Sequence, residues 1–183
     1  MDSQYNKLLD KLMNAVKDTQ MEEEEYKYFS SFLKDKNVLV FGSGRDSDLY
    51  RHSVNNGVIR FLENDPTWIP NDASDIILVN YTTRRDQAFT FLDDMLRGEK
   101  ELGIEIPSTI RETKWDVVFV DSPWDGKHGR MQSIYESIRL IKKGGDMFIH
   151  DCDRPIENVF STIVYGKQNL VKELTKLRHY IIK

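Results

Sequence analysis

The chain has 183 residues, a formal net charge of −4, 39% hydrophobic and 31% charged residues. That suits one globular unit with a sizeable core and is too short for two, and an acidic balance disfavours nonspecific nucleic-acid binding. No apolar run reaches membrane-span length, MDSQYNKLLDKLMN has no signal-peptide core, and the single Cys152 excludes an internal disulfide, so a soluble cytoplasmic protein is expected.

Residues 4–17 carry Tyr5, Leu8, Leu9, Leu12, Met13 and Val16 at helical spacing. Thr19 and Glu22 predict a capping box for a second helix over about 20–34, with Tyr26, Phe29 and Leu33 inward. The four glutamates 22–25 read as a solvated face near a helix N-terminus. Residues 1–34 are therefore expected to form a helical cover.

An apolar strand, Val38–Phe41, runs into Gly42-Ser43-Gly44. A short helix from about Ser47 and a turn at Asn55-Asn56-Gly57 lead to a second strand, Val58–Glu63. A strand, a glycine turn and an acidic residue some 20 positions on form a nucleotide-binding βαβ pattern. Glycines let the backbone approach a ligand. Glu63, at a strand tip, can accept hydrogen bonds from ribose hydroxyls. Ser47 replaces the third glycine of the dinucleotide fingerprint, which weakens NAD or FAD and leaves S-adenosylmethionine.

Further along, Pro66 and Pro70 bracket Trp68 on a short helix, and Ile76–Val79 is a third strand. It leads into the polar run Asn80–Arg85 and a helix over Gln87–Leu96. Residues 97–114 read as irregular. Trp115–Val120 is an almost wholly apolar strand, as expected for one covered on both faces. A helix over Met131–Ile141 is predicted to close at Gly144-Gly145, before a fifth strand, Met147–Ile149. A helix over Pro155–Val164 follows, then Leu170–Leu174 and Leu177–Ile182 as an antiparallel hairpin. Five strands alternating with helices and ending in a hairpin fit an α/β, doubly wound, Rossmann-like methyltransferase fold, strand order 3-2-1-4-5-7-6, over residues 35–183.

In that order the strands ending in Asp121 and His150-Asp151 are neighbours. Two uses follow. Asp121 and Asp151 can hold a hard divalent cation that orients a sugar hydroxyl and lowers its pKa. Alternatively a carboxylate or His150 takes the hydroxyl proton as general base. His150 has the better free pKa and Asp121 the better position. The bland reading has Asp121 capping a turn and Asp151 pairing with Arg154. Arg130 and His128, after the fourth strand, face the expected acceptor, and an Arg there can bind a carboxylate in bidentate fashion. Arg84, Arg85 and Lys127 form either a basic rim or a solvated edge. Trp124 either stacks on a sugar or packs under its loop. Cys152 reads as a small apolar residue.

Several segments together resemble the polysaccharide-biosynthesis family of glucuronoxylan 4-O-methyltransferases and their xylan-deposition relatives. They are VLVFGSGRDSDLY, GVIRFLENDPTWI, NYTTRRDQA, WDVVFVDSPWDGKHGRMQSIYESI, MFIHDCDRPIENVFS and NLVKELTKLRHYII. The resemblance implies S-adenosylmethionine held at Gly42, Ser43, Gly44 and Glu63, and methyl transfer to the 4-hydroxyl of glucuronic acid. It implies Asp121 near the transferred methyl, Arg130 near the acceptor carboxylate, His150 and Asp151 on the acceptor side, and divalent-metal dependence in some members. It departs from the plant proteins in lacking their membrane anchor and stem, in short loops at 97–114 and after Asp121, and in Ser122 where a glycine is frequent.

Two other readings compete. Asp121-Ser122-Pro123-Trp124 echoes the D-P-P-[YFW] loop of amino-group methyltransferases, which Ser122 breaks. A non-catalytic glycan-biosynthesis factor that kept the fold is the other.

Overall fold

The computed structural model describes residues 2–15, 21–123 and 126–183. Its centre is a seven-stranded sheet of order β3-β2-β1-β4-β5-β7-β6. The strands are β1 (Asn37–Phe41), β2 (Val58–Glu63), β3 (Ile76–Leu78), β4 (Trp115–Val120), β5 (Ile141–Ile149), β6 (Leu170–Glu173) and β7 (Arg178–Ile181). The first five pair in parallel, and β7 joins β5 and β6 antiparallel. This is the methyltransferase order that the alternation of elements predicts.

Helices cover both faces. On one lie α1 (Ser3–Ala15), α2 (Glu23–Ser30) and α3 (Ser47–Val54). Tyr5, Leu9, Tyr26, Phe29 and Leu49 pack there with Val38, Val40 and Phe119. On the other lie α4 (Ala88–Leu96), α5 (Ser108–Glu112), α6 (Met131–Leu140) and α7 (Pro155–Ser161). Phe91, Ile110, Ile134 and Phe160 pack there with Leu39, Phe41 and Val118. Alternate residues of β1 thus enter opposite layers, as the period of two in a strand requires. Burial on both faces explains why β4 reads as a continuous apolar run.

Four local expectations are corrected. The glycines at 144 and 145 do not close α6; the chain turns directly into β5 at Ile141, and both glycines lie within that strand. The stretch 97–114 contains α5, whose buried Ile110 anchors it to the core. The last predicted helix ends at Ser161 and widens into a π turn over Thr162–Gly166. The second helix is shorter than 20–34, and Thr19 lies outside the described residues; Glu25 instead reaches back to the Glu22 N–H at 2.9 Å.

Candidate active site

The carboxyl ends of β1, β2, β4 and β5 form one edge. Hydrogen bonds staple it: Gly42 N–H to Leu62 O (2.8 Å), Asp121 N–H to Phe41 O (2.9 Å) and His150 N–H to Val120 O (3.1 Å). Gly42 has φ +115°, and a Cβ there would stand 2.9 Å from the Ser122 Cβ. Only glycine lets the β1 turn pass so close to the loop after β4. Glu63 is 3% exposed. It accepts the Ser43 N–H at 2.8 Å, the Asn64 N–H at 2.7 Å and the Asp65 N–H at 2.8 Å. A carboxylate offers about four acceptor positions, so these three bonds fix its direction and leave one position for a ligand. The Gly44 N–H is met by the Ser47 hydroxyl at 2.9 Å, so Ser47, which breaks the dinucleotide fingerprint, closes this turn.

Beside the turn, Asp121, His150 and Asp151 each present a ligand atom within 4.8 Å of the others. Asp151 has φ +61°, a left-handed conformation that Asp tolerates better than most residues. Arg130 lies between the carboxylates. Its Nη2 is 3.0 Å from Asp121 and 2.6 Å from Asp151, and its Nη1 donates to the His150 carbonyl at 2.8 Å. The structure places Arg130 deeper than its loop position suggests: it is fully buried, within ion-pair distance of both aspartates. Arg154, whose side chain is 43% exposed, pairs with Asp151 at 2.9 Å.

Glu25 was legible only as one of four solvated glutamates; it is 1% exposed. It accepts the Lys176 and Leu177 N–H groups at 2.7 and 2.9 Å and faces His150 Nε2 at 3.6 Å. On the other side of the ring, His150 Nδ1 is 3.3 Å from Asp121 and 3.5 Å from Asp151. Burial opposes the imidazolium, but Asp121 and Glu25 outweigh it and push His150 up to about 9. Burial likewise opposes the Glu25 carboxylate, while His150 and the backbone N–H groups bring it down to about 2. For Asp121, burial is overcome by Arg130 and His150, which hold its carboxyl below the usual range. The ring therefore carries its proton near neutral pH, and Asp121 is ionised.

A divalent cation at this group would have to compete with guanidinium groups for the carboxylates. Arg130 and Arg154 already contact the carboxylate pair, and a hard cation needs free oxygen ligands. Asp121 Oδ1, Asp151 Oδ2 and both His150 ring nitrogens are nevertheless buried with no hydrogen-bond partner among the described residues.

Around this centre two polar motifs of the sequence meet. The Thr82 and Thr83 N–H groups donate to Gln132 Oε1 at 2.7 and 3.0 Å, and the Ser133 hydroxyl donates to the Ser122 carbonyl at 2.7 Å. The run after β3 is thereby locked to the start of α6 and to the loop after Asp121. His128 is half-buried on that loop, its ring 6.5 Å from Tyr81. Trp124 lies outside the described residues. Arg84 is held by Asp86 at the surface. Cys152 is buried, and burial pushes its thiol up to about 12, as a small core residue requires.

The chain is 32% identical to glucuronoxylan 4-O-methyltransferase 1 of Arabidopsis thaliana, over 80% of this chain and 61% of that protein. It is 29% identical to arabinogalactan O-methyltransferase 2 of the same plant, over 87% and 66%. The chain thus spans about three fifths of the length of the glucuronoxylan relatives it matches. An S-adenosylmethionine-dependent O-methyltransferase from Thermotoga maritima superposes with a TM-score of 0.51 at 15% identity, over 90% of this chain and 57% of that one. MycE methyltransferase of the mycinamycin pathway, solved with Mg and S-adenosylhomocysteine, gives 0.53 at 16%, over 97% and 48%. These structures share the fold. Residues 72–180, more than half of the chain, match the IRX15/IRX15L/GXM family, and the chain belongs to that family.

Proposed function

We propose that this chain is an S-adenosylmethionine-dependent O-methyltransferase acting on a sugar hydroxyl of a glycan, with the 4-hydroxyl of glucuronic acid as the acceptor position. The observation that carries the reading is the convergence of the Gly42–Gly44 turn, Glu63 and Asp121 on one sheet edge, stapled by the backbone bonds of β1, β2 and β4. Ligands of open α/β sheets bind beyond the carboxyl ends of the strands. The glucuronoxylan and arabinogalactan methyltransferase relatives supply the acceptor class.

The cradle fits the cofactor. Gly42 and Gly44 give backbone access, Ser43 lies between them, and Glu63 keeps an acceptor position for a ribose hydroxyl. When bound, the cofactor supplies an electrophilic methyl on a sulfonium. Asp121 is the one member of the Asp121–His150–Asp151 group with appreciable side-chain exposure, 16%. It would accept the hydrogen bond of the incoming hydroxyl and take its proton as that oxygen displaces the sulfonium sulfur, which would leave as the thioether, from the methyl carbon. His150 already carries a proton, so its part is to hold Asp121 ionised and oriented. Arg130 does the same from the other side. Arg154 offers the acceptor carboxylate a partner at the rim, because Arg130 cannot reach it without abandoning both aspartates.

The test is methyl transfer from labelled S-adenosylmethionine to glucuronic-acid-bearing xylan oligosaccharides, with carboxyl-reduced oligosaccharides and arabinogalactan as parallel acceptors. Label on the 4-position of the uronic acid supports the reading. Label on arabinogalactan alone would move the acceptor, and cofactor binding with no transfer to any glycan would overturn it.

A further inference from the structure

We propose that Asp46 receives the α-ammonium group of the cofactor's methionine moiety. This rests on the S-adenosylmethionine reading above and adds a residue that neither the turn nor the strand tips supply.

Asp46 follows the glycine turn and immediately precedes α3, yet its side chain makes no capping hydrogen bond to that helix. The helix start does not explain the residue. Its Oδ2 accepts the Tyr50 hydroxyl at 2.9 Å. Its Oδ1 lies 3.3 Å from where a side chain on Gly44 would begin. The carboxylate is therefore folded over the turn that forms the cofactor cradle. Asp75, Asp116 and Asp121 are each met by an Arg or Lys; among the described residues, no Lys, Arg or His pairs with Asp46. Burial, with the nearby Asp121 charge adding to it, pushes this carboxyl up to about 6 despite the Tyr50 hydroxyl. A half-buried carboxylate that lacks a cation and faces a second carboxylate is disfavoured as an anion, and a ligand cation relieves that cost.

The geometry also selects which cation. Glu63 is bonded to the Ser43 N–H, so the ribose belongs at that end of the turn. Asp46 stands at the Gly44 end, on the side where Asp121 contributes to its field. A cofactor lying along the turn with its ribose at Glu63 carries its amino-acid tail toward Asp46. The ammonium is the terminal cation of that tail. The Asp46 carboxylate oxygen accepts from it, with no bond made or broken.

The experiment is calorimetric titration of the whole chain and of Asp46→Asn with three ligands: S-adenosylhomocysteine, its deaminated analogue, and methylthioadenosine, which lacks the tail. The Asn amide oxygen still accepts from Tyr50, and a thermal melt reports whether the fold is kept. The expected result is that Asp46→Asn weakens S-adenosylhomocysteine about ten- to a hundredfold, the scale of one charge-assisted hydrogen bond. The other two ligands should stay within about twofold. Equal binding of S-adenosylhomocysteine by both proteins overturns the inference. So does an equal loss for all three ligands, which would mark a damaged turn. If the unaltered chain binds none of them, it is the methyltransferase reading that fails.

Discussion

Glu25 Oε2 stands 3.6 Å from His150 Nε2, with both side chains buried. The contact joins α2, on the N-terminal cover, to the end of β5. It orients the ring from behind while Asp121 holds it from the front. The N-terminal helices are thus part of the site's support. Removing them would expose His150 and release the Lys176 and Leu177 N–H groups that Glu25 binds.

A pH dependence of stability follows. His150 titrates near 6.5 when unfolded and at about 9 when folded. Its contribution is complete below about pH 6.5 and is lost as the pH rises through 9. Glu25 moves the other way, from 4.5 to about 2, so its contribution is present above 4.5 and fades as the pH falls through 2. Melting temperature should therefore fall between pH 7 and 9.5, by an amount on the order of a few kcal/mol in stability. In Glu25→Gln the alkaline decline should be smaller and level off at lower pH, because the ring has lost one of its two principal partners and its folded-state pKa falls. A melting temperature flat across that range in the unaltered chain would show that His150 is neutral.

Asp121→Asn tests the assignment of the base. The amide keeps the shape of the carboxylate but cannot take a proton. The turnover rate should fall by about 10²–10⁴, with the acceptor KM changed far less. A loss smaller than tenfold would place the base elsewhere. Turnover of the unaltered chain should hold level across neutral pH, since burial fails to keep Asp121 from being held ionised by Arg130 and His150.

The strand order was legible because each buried parallel strand is a short apolar run followed by turn residues, and the terminal hairpin distinguishes this sheet from a dinucleotide-binding one. Asp121, His150 and Asp151 were legible for the same reason: they are the first polar residues after apolar strands. Arg130 was located on its loop but not in depth, because a guanidinium between two aspartates reads the same in sequence as one at the surface. Glu25 was hidden among four adjacent acids at a helix start; only the crossing of α2 over the end of β5 shows which of them is buried. Asp46 gave no signal beyond following a glycine turn. Gly144 and Gly145 misled because a glycine pair after a helical pattern marks a C-terminus more often than the interior of a strand.

Arg130→Met keeps most of the side-chain volume and removes the charge. Asp121 and Asp151 would then be left buried without their shared partner. Breaking a buried ion pair from one side costs about 3–5 kcal/mol, read as a lowered denaturation midpoint. The deficit should shrink as the pH is lowered through the carboxylate range, because protonation removes the repulsion. A loss that does not vary with pH would assign Arg130 a packing role only.

Metal removal separates the two uses of the aspartate pair that the sequence left open. Arg130 contacts both carboxylates and Arg154 contacts one of them. Chelator should therefore leave methyl transfer, cofactor affinity and melting temperature unchanged, and added divalent cation should not raise the melting temperature. Arg130→Met should differ: with the guanidinium gone, the unpaired carboxylates become a cation site, and a divalent ion should restore part of the lost stability. If chelator abolishes transfer by the unaltered chain, Arg130 must leave the aspartates when the enzyme is loaded. The same chelation would then lower its melting temperature, a shift the arrangement described above does not allow.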